Sequence, residues 1–164
     1  NDRKEDVVGV WDSHGEFTRS LPYGTQHPRP VIGSNGVVAV AWHAQWPRNG
    51  GPQLSRRFKQ DINRDMVGQD WAAWVAIRSV AAVLLAEPTG NLIQQANALR
   101  STVSVDGYKG PALSYRSWDG QLRQPVFLAH GDGVIGTAPA DGVLHPTQVL
   151  DTLGVDQRES TCKF

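Results

Sequence analysis

The sequence predicts an α/β domain, and three patterns lead to this prediction. Residues 65–87 carry apolar side chains at steps of three and four, which is the spacing of one face of an α-helix. Two apolar runs rich in valine, residues 7–11 and 37–42, are typical of buried strands. From Thr102 onward, glycines separate short strand-like runs. At 164 residues, the chain is long enough for one domain with its own core.

Composition excludes several classes of partner. Lysine plus arginine equals aspartate plus glutamate at 16 each, so the net charge favours neither nucleic acid nor an anionic membrane. The longest apolar run, within residues 80–86, is too short to cross a bilayer, and no secretory signal is recognisable. Because the chain begins at Asn1 and its charged first residues lead straight into a strand-like run, we expect a processed product or a fragment.

The first predicted strand, residues 7–11, is followed by two carboxylates, Asp12 and Glu16. In open α/β sheets, ligands bind beyond the carboxyl ends of the strands, so these two residues are candidate ligand contacts. A solvated loop with two ordinary carboxylates explains the same pattern. Residues 13–36 hold several prolines and glycines and are predicted to be mainly loop.

The second predicted strand, residues 37–42, ends in Trp42 and His43. An indole and an imidazole at the end of a strand could line a pocket. They could equally fill the gap between the strand and a helix. The sequence leaves both interpretations open.

Three helices are predicted to follow. The turn at residues 49–52 should start a short helix, and residues 65–87 form the long one, which Pro88 ends. Ser79 falls on the polar side of the long helix, and Thr89 is predicted to cap a third helix that ends near Ser101. The predicted buried side chains are Leu54, Phe58 and Ile62 in the first helix, Trp71, Trp74, Val75, Ile77, Ala81, Leu84 and Leu85 in the second, and Leu92, Ile93, Ala96 and Leu99 in the third.

The remaining chain is predicted to form hairpins and a tail. Asp119-Gly120 is a hairpin-type turn, and residues 126–129 should pair with residues 134–138 across residues 131–133. Gly131, Gly133 and Gly136 match the GxGxxG pattern of nucleotide-binding loops. Pro139 follows too soon for a phosphate-binding helix, so a hairpin is the better interpretation.

No catalytic or metal-binding motif is recognisable. The five histidines are scattered without the spacing of a zinc site, and no serine, histidine and aspartate set can be assembled from spacing. The residues therefore give no positive evidence of catalysis, and we expect no structural metal and no cofactor. The single cysteine, Cys162, is either a free thiol or the partner of a cysteine on another segment or chain.

Several longer stretches resemble a known family. They are LPYGTQHPRPVIGSNGVVAVAWH, QDWAAWVAIRSV, KGPALSYRSWDGQLRQP and HPTQVLDTLG, at residues 21–43, 69–80, 109–125 and 145–154. Together they resemble the C-terminal part of periplasmic substrate-binding proteins of ABC transporters, of the branched-chain amino acid type, that are associated with PQQ-dependent alcohol oxidation. The resemblance covers nearly the whole chain. One departure is Val67, where the family tends to place a hydroxyl residue that caps the helix.

The resemblance implies a type I periplasmic-binding-protein lobe, which is a doubly wound open sheet with flanking helices. Residues 1–140 would form this C-terminal lobe, and residues 141–164 would form an extended, β-rich and irregular tail packed on it. Family members are longer and close two lobes on a small ligand, so a partner lobe or chain is expected. The resemblance also implies a periplasmic location and no enzymatic activity of the chain's own, with an ABC permease or a PQQ-dependent dehydrogenase as a possible partner.

Two functions follow from these observations. The first is a binding component that captures a small molecule without catalysis, with Asp12, Glu16, Trp42 and His43 as candidate ligand contacts. The second is a non-catalytic structural or accessory subunit docked on a larger periplasmic redox enzyme complex, with exposed aromatic side chains at the interface. A small hydrolase without a recognisable motif is the third and least supported.

Overall fold

A computed structural model describes residues 6–13, 17–131, 133–142 and 144–162. The described residues form a mixed α/β protein, as the sequence predicts. Four helices, α1 to α4, span Leu21–Gly24, Gly51–Ile62, Gly68–Ala86 and Leu92–Ser101, and a 3₁₀-helix spans Val149–Leu153. Seven strands, β1 to β7, span Val8–Val10, Val31–Gly33, Val37–Val40, Ser114–Tyr115, Leu122–Arg123, Val126–His130 and Gly133–Ala138.

The sheets differ from the expected doubly wound sheet. The largest has the order β3-β6-β7 and is antiparallel throughout, while β1 and β2 form a separate parallel pair and β4 and β5 a separate antiparallel pair. A parallel pairing needs a long crossover, whereas Gly131, at φ +60°, turns the chain straight back from β6 into β7. The described residues thus form three small sheets and no continuous open one.

The main core is unusually rich in tryptophan. Trp71 is completely buried, and its ring stacks on that of Trp42 with centroids 6.2 Å apart. Phe127 packs against Trp42 and Trp46 at centroid distances of 5.9 and 4.5 Å. The Trp71 indole donates to the Gly107 carbonyl at 3.0 Å, so this buried polar atom is satisfied. The predicted core role of Trp71 is confirmed.

The long helix α3 is confirmed, but its buried face is only partly the predicted one. The helix buries every fourth residue from Trp71 to Val83, including Ser79, whose hydroxyl bonds the Val75 carbonyl and the Tyr115 hydroxyl at 2.9 Å each. The predicted burial of Ile77, Ala81, Leu84 and Leu85 is wrong, because all four are exposed. The helix is apolar on every side, so its period alone could not select the buried face.

Helix α4 starts two residues later than the predicted cap implies. Asn91, not Thr89, caps it: the Asn91 side chain accepts from the Gln94 amide at 3.0 Å, and the Gln94 side chain accepts from the Asn91 amide at 2.8 Å. The predicted burial of Leu92, Ile93 and Ala96 is also wrong, because Ala98 is the buried residue and Leu99 is half-buried.

The predicted strands and helix of the N-terminal half are present, but their side chains are less buried than the sequence predicts. Strand β1 is partly solvent-exposed, and Trp11, just after it, is 93% exposed, so the prediction of a buried strand is wrong. The predicted loop at residues 13–36 contains α1 and β2 in its described part. Helix α2 starts as predicted after two left-handed residues, Asn49 and Gly50, but its last residue, Ile62, is exposed.

The hairpins at the C-terminal end follow the sequence pattern. Asp119-Gly120 lies in the turn between β4 and β5, and Gly131 lies in the turn between β6 and β7. Gly136 is therefore a strand residue, as the hairpin interpretation of the GxGxxG match requires. Leu150, in the 3₁₀-helix, is buried within the tail. No helix among the described residues is long and apolar enough to span a membrane.

Candidate functional site

A groove of about 890 Å³ lies between the end of β3 and the beginning of α3. One wall is the chain as it leaves β3, and the other is the loop and first turn that start α3. Because most of the lining is apolar with a few polar groups, the groove has the character of a small-molecule site. It is lined by Ala39, Val40, Ala41, Trp42, His43, Ala44, Gln45, Asp65, Met66, Val67, Gly68, Gln69 and Ala72.

Trp42 connects the groove to the core. Its side chain is buried between Trp71 and Phe127, so its position is fixed by packing. Its indole nitrogen has no hydrogen-bond partner among the described residues. The two interpretations left open by the sequence both hold for this residue, which fills the core and also lines the groove.

His43 is half-buried beside Trp42, and one of its ring nitrogens, Nε2, has no hydrogen-bond partner among the described residues. Its Nδ1 accepts a hydrogen bond from the Gln45 amide at 3.2 Å, and its carbonyl accepts from the Trp46 amide at 3.0 Å. A ring nitrogen that accepts a bond carries no proton, so in the neutral imidazole Nε2 is protonated and is a donor. The tight turn at residues 43–46 therefore fixes the ring and its tautomer.

The other wall of the groove is the beginning of α3. Valine has no acceptor, so Asp70 caps this helix by accepting from the Val67 amide at 3.0 Å. Hydrogen bonds from Arg64, at 2.6 and 2.7 Å, and then the bond from Val67 hold the pKa of Asp70 well below its usual range. The amides of Gly68 and Gln69, in the first turn, have no acceptor within the helix, and both residues line the groove.

Lys109 lies beneath the groove and is 2% exposed. Its ammonium donates to the Ala41 carbonyl at 2.7 Å and to the Gln124 side-chain oxygen at 2.9 Å. It also lies over the rings of Trp71 and Phe127, 4.4 and 4.7 Å from their centroids. Burial lowers the pKa of this lysine from 10.5 to about 7. Sequence reasoning missed Lys109, because a lysine between two glycine-rich turns is ordinarily a surface residue.

The structure brings two of the four predicted contacts to the groove. Trp42 and His43 line it, but Asp12 is not among its lining residues. The Asp12 carboxylate instead accepts from the amides of Phe17 and Thr18, at 2.9 and 3.2 Å, within its own loop. This separation arises because β1 belongs to a different sheet from β3. Glu16 lies outside the described residues.

A second, smaller cleft of about 370 Å³ lies between α2 and α3. The stacked rings of Trp74 and Tyr108 form one side, with centroids 5.5 Å apart, and the guanidinium of Arg78 lies over the Trp74 ring. The larger groove has more than twice the volume of this cleft and a mainly apolar lining with a few polar groups, so we take it as the candidate site. Within the described ranges, no cluster of three or more histidine, cysteine or acidic side chains could hold a metal ion.

Comparisons of this chain with protein-family models, with curated proteins and with solved structures gave no match. The family resemblance therefore depends on the four stretches of sequence quoted above.

Proposed function

We propose that this chain is the solute-binding component of a periplasmic ABC-type system linked to PQQ-dependent alcohol oxidation, and that it binds a small molecule without catalysis. The four sequence stretches support the family, whereas the antiparallel β3-β6-β7 sheet departs from the doubly wound sheet of its type I lobe. The groove at the end of β3 is the observation that carries the binding role, because it contains Trp42 and His43 among apolar side chains.

The groove suits a small solute with an apolar body and one hydrogen-bonding group. The alanines at positions 39, 41 and 72 offer apolar contact. His43 Nε2 and the amides of Gly68 and Gln69 are donors for an oxygen of the solute. In a two-lobed binding protein the second lobe would cover the open side, so we expect weak binding by this chain alone.

The lining also supports binding rather than covalent chemistry. Among the described residues that line the groove, none carries a hydroxyl, thiol or amine nucleophile. Two lining groups could act as a general base, and both are engaged: the unprotonated nitrogen of His43 accepts from the Gln45 amide, and the Asp65 carboxylate is paired with Lys59 at 2.9 Å.

Blocking the groove tests this proposal. Ala72 lines the groove on the exposed surface of α3, so Ala72→Phe fills the groove at a stability cost of about 0.5 kcal/mol. Ala73→Phe is the matched control, since Ala73 is equally exposed but does not line the groove. Trp42 is a poorer target, because its replacement would also damage the core.

The measurement is saturation-transfer NMR with three probe series: straight-chain alcohols of two to five carbons, the matching carboxylates, and aliphatic amino acids. We expect at least one probe to bind the parent chain and Ala73→Phe, and its affinity to fall about tenfold or more in Ala72→Phe. Equal binding by both variants, or no binding by any probe, would overturn the proposal.

A second candidate function is a structural or accessory subunit docked on a larger periplasmic redox enzyme complex. It is favoured by exposed apolar side chains on α3 and α4, which would suit a protein interface. Native mass spectrometry of the protein from its source separates the two functions: a stable assembly with a dehydrogenase supports docking, and a chain or lobe pair that carries a small molecule supports binding. The exposed apolar side chains on α3 and α4 that would form this interface are Ile77, Val80, Leu84, Leu85, Leu92 and Ile93.

A further inference from the structure

We propose that Lys109 is a positioning residue for the groove: its ammonium group, held between Trp71 and Phe127, fixes the Ala41 carbonyl and with it the adjacent wall of the groove. This inference rests on the proposed function, because it assigns a role in the same groove. It goes further by naming a residue that no ligand touches.

The position of Ala41 explains why such a tether matters. Strand β3 ends at Val40, which is paired with Phe127, so the ladder of hydrogen bonds to β6 supports the first lining residues of the wall and stops just before Ala41. Lys109 donates its bond to the next carbonyl along the chain. The hydrogen bond from Lys109 to the Ala41 carbonyl therefore holds the chain in place one residue beyond its pairing with β6, at the peptide that leads into Trp42.

The charge on Lys109 has no counter-ion. No carboxylate of the described residues lies within salt-bridge distance of its nitrogen, and its contacts are two rings, one carbonyl and one amide oxygen. Asp70, next to Trp71, is paired with Arg64, and Arg123, next to Gln124, is paired with Asp151. The titratable or charged groups on the elements that pack against Lys109 are His43, Asp70, Arg78, Arg123 and His130.

Protonation decides the strength of the tether. The ammonium form makes a charge-assisted bond and is attracted to both rings, whereas a neutral amine is a weaker donor and loses the attraction to the rings. Burial brings the pKa of Lys109 close to neutrality, so both forms are populated near pH 7. The wall that contains Trp42 should be held more firmly below this pH than above it.

The test uses the whole chain labelled with 5-fluorotryptophan, with the Trp42 signal assigned from Trp42→Phe. Broadening of this signal by the dissolved radical TEMPOL reports access to the wall between pH 6 and pH 9. We expect broadening in the parent chain to rise about twofold or more through a midpoint near pH 7. Lys109→Met should remove the pH dependence, and Lys109→Arg, which stays charged, should keep the low-pH value throughout.

Three outcomes would overturn the inference. They are a flat profile in the parent chain, the same profile in Lys109→Met, and a profile in Lys109→Arg that still titrates. If near-ultraviolet circular dichroism shows that Lys109→Met does not fold, the pH profile of Lys109→Arg alone tests the inference. The measurement needs no solute, so its result is independent of the binding experiment. If TEMPOL broadening of the Trp42 signal depends on pH as expected but the chain binds none of the alcohols, carboxylates or amino acids, Lys109 keeps its positioning role and the proposed function is refuted.

Discussion

Arg116 donates a hydrogen bond of 2.7 Å from its Nε to the carboxylate of Asp151, and both side chains are almost completely buried. Arg123 shares the same carboxylate through bonds of 2.8 and 2.9 Å. These contacts join two of the four stretches that carry the family resemblance, residues 109–125 and 145–154. The tail is therefore held on the β4-β5 hairpin by charge as well as by the burial of Leu150.

Replacing this shared carboxylate should loosen the tail. Asp151→Ala removes the carboxylate that two guanidinium groups share and leaves them the Asp119 carboxylate, 3.6 Å from Arg116, and neutral oxygens. We expect the free energy of unfolding to fall by about 3 kcal/mol. Asp141→Ala, at an exposed tail position, should change it by less than about 0.5 kcal/mol. Urea unfolding followed by fluorescence measures both variants. Equal effects would mean that the network adds nothing to stability.

The same network predicts acid sensitivity. The hydrogen bond from Arg123 is the main reason that the pKa of Asp151 lies below its usual value, and burial opposes it. A carboxyl whose folded pKa is depressed contributes stability above its unfolded pKa and loses it as the pH falls through the folded pKa. Unfolding followed below pH 4 should show this loss in the parent chain. The difference in stability between the parent and Asp151→Ala should shrink over the same range; a constant difference would contradict the pairing.

The cap of α4 offers a direct comparison between sequence and structure. Asn91→Ala removes the acceptor for the Gln94 amide, so we expect a loss of about 1 kcal/mol. Thr89→Ala, at the cap that the sequence predicts, should cost less than about 0.5 kcal/mol. Thermal unfolding measures the loss of stability in both variants. A larger loss in Thr89→Ala than in Asn91→Ala would mean that Thr89 caps the helix.

Two tryptophans separate core packing from surface exposure. Trp71→Ala removes a completely buried ring and its bond to Gly107, and we expect a loss of about 3–5 kcal/mol. Trp11→Ala, at a position that is 93% exposed, should leave stability within about 0.5 kcal/mol of the parent. Chemical denaturation of both variants gives the comparison. Unchanged stability in Trp71→Ala would place this ring outside the core.

Local signals predicted most of the elements, because turn chemistry and periodicity act over a few residues. Asp119-Gly120 and Gly131 mark their hairpins correctly for this reason. The pairing of β3 with β6 joins Val40 to Phe127, which are far apart in the sequence, so no local pattern could indicate it or its antiparallel sense. The burial of α3 was half predictable, since a helix that is apolar all round can turn any face to the core.

In the candidate site, too, local patterns predicted some residues and missed those that depend on contacts between distant parts of the chain. Trp42 and His43, which line the groove, were nominated because a strand end is a recognisable place for ligand contacts. Asp12 was nominated by the same rule, which fails when the first strand belongs to another sheet. Lys109 carried no signal, because its burial depends on rings that come from α3 and β6.

The buried lysine also makes stability depend on pH with a definite sign. Its pKa is 10.5 in an unfolded chain and about 7 in the folded protein, so between these values the unfolded state binds more protons. The contribution of Lys109 to the free energy of unfolding therefore rises with pH from about 7 and is complete above 10.5. In Lys109→Met this contribution is absent. The difference between the parent and the variant should change by up to about 1.4 kcal/mol per pH unit within this window.

Urea unfolding of the parent chain and Lys109→Met at pH 7, 8 and 9 measures this difference. Other titrating groups are common to both proteins and cancel, so the slope of the difference isolates Lys109. Lys59→Met is the control, because Lys59 is exposed and its difference from the parent should stay constant over the same range. A constant difference for Lys109→Met as well would show that Lys109 keeps an ordinary pKa in the folded protein. Its ammonium would then be stabilised enough by Ala41, Gln124 and the two rings to offset the cost of burial.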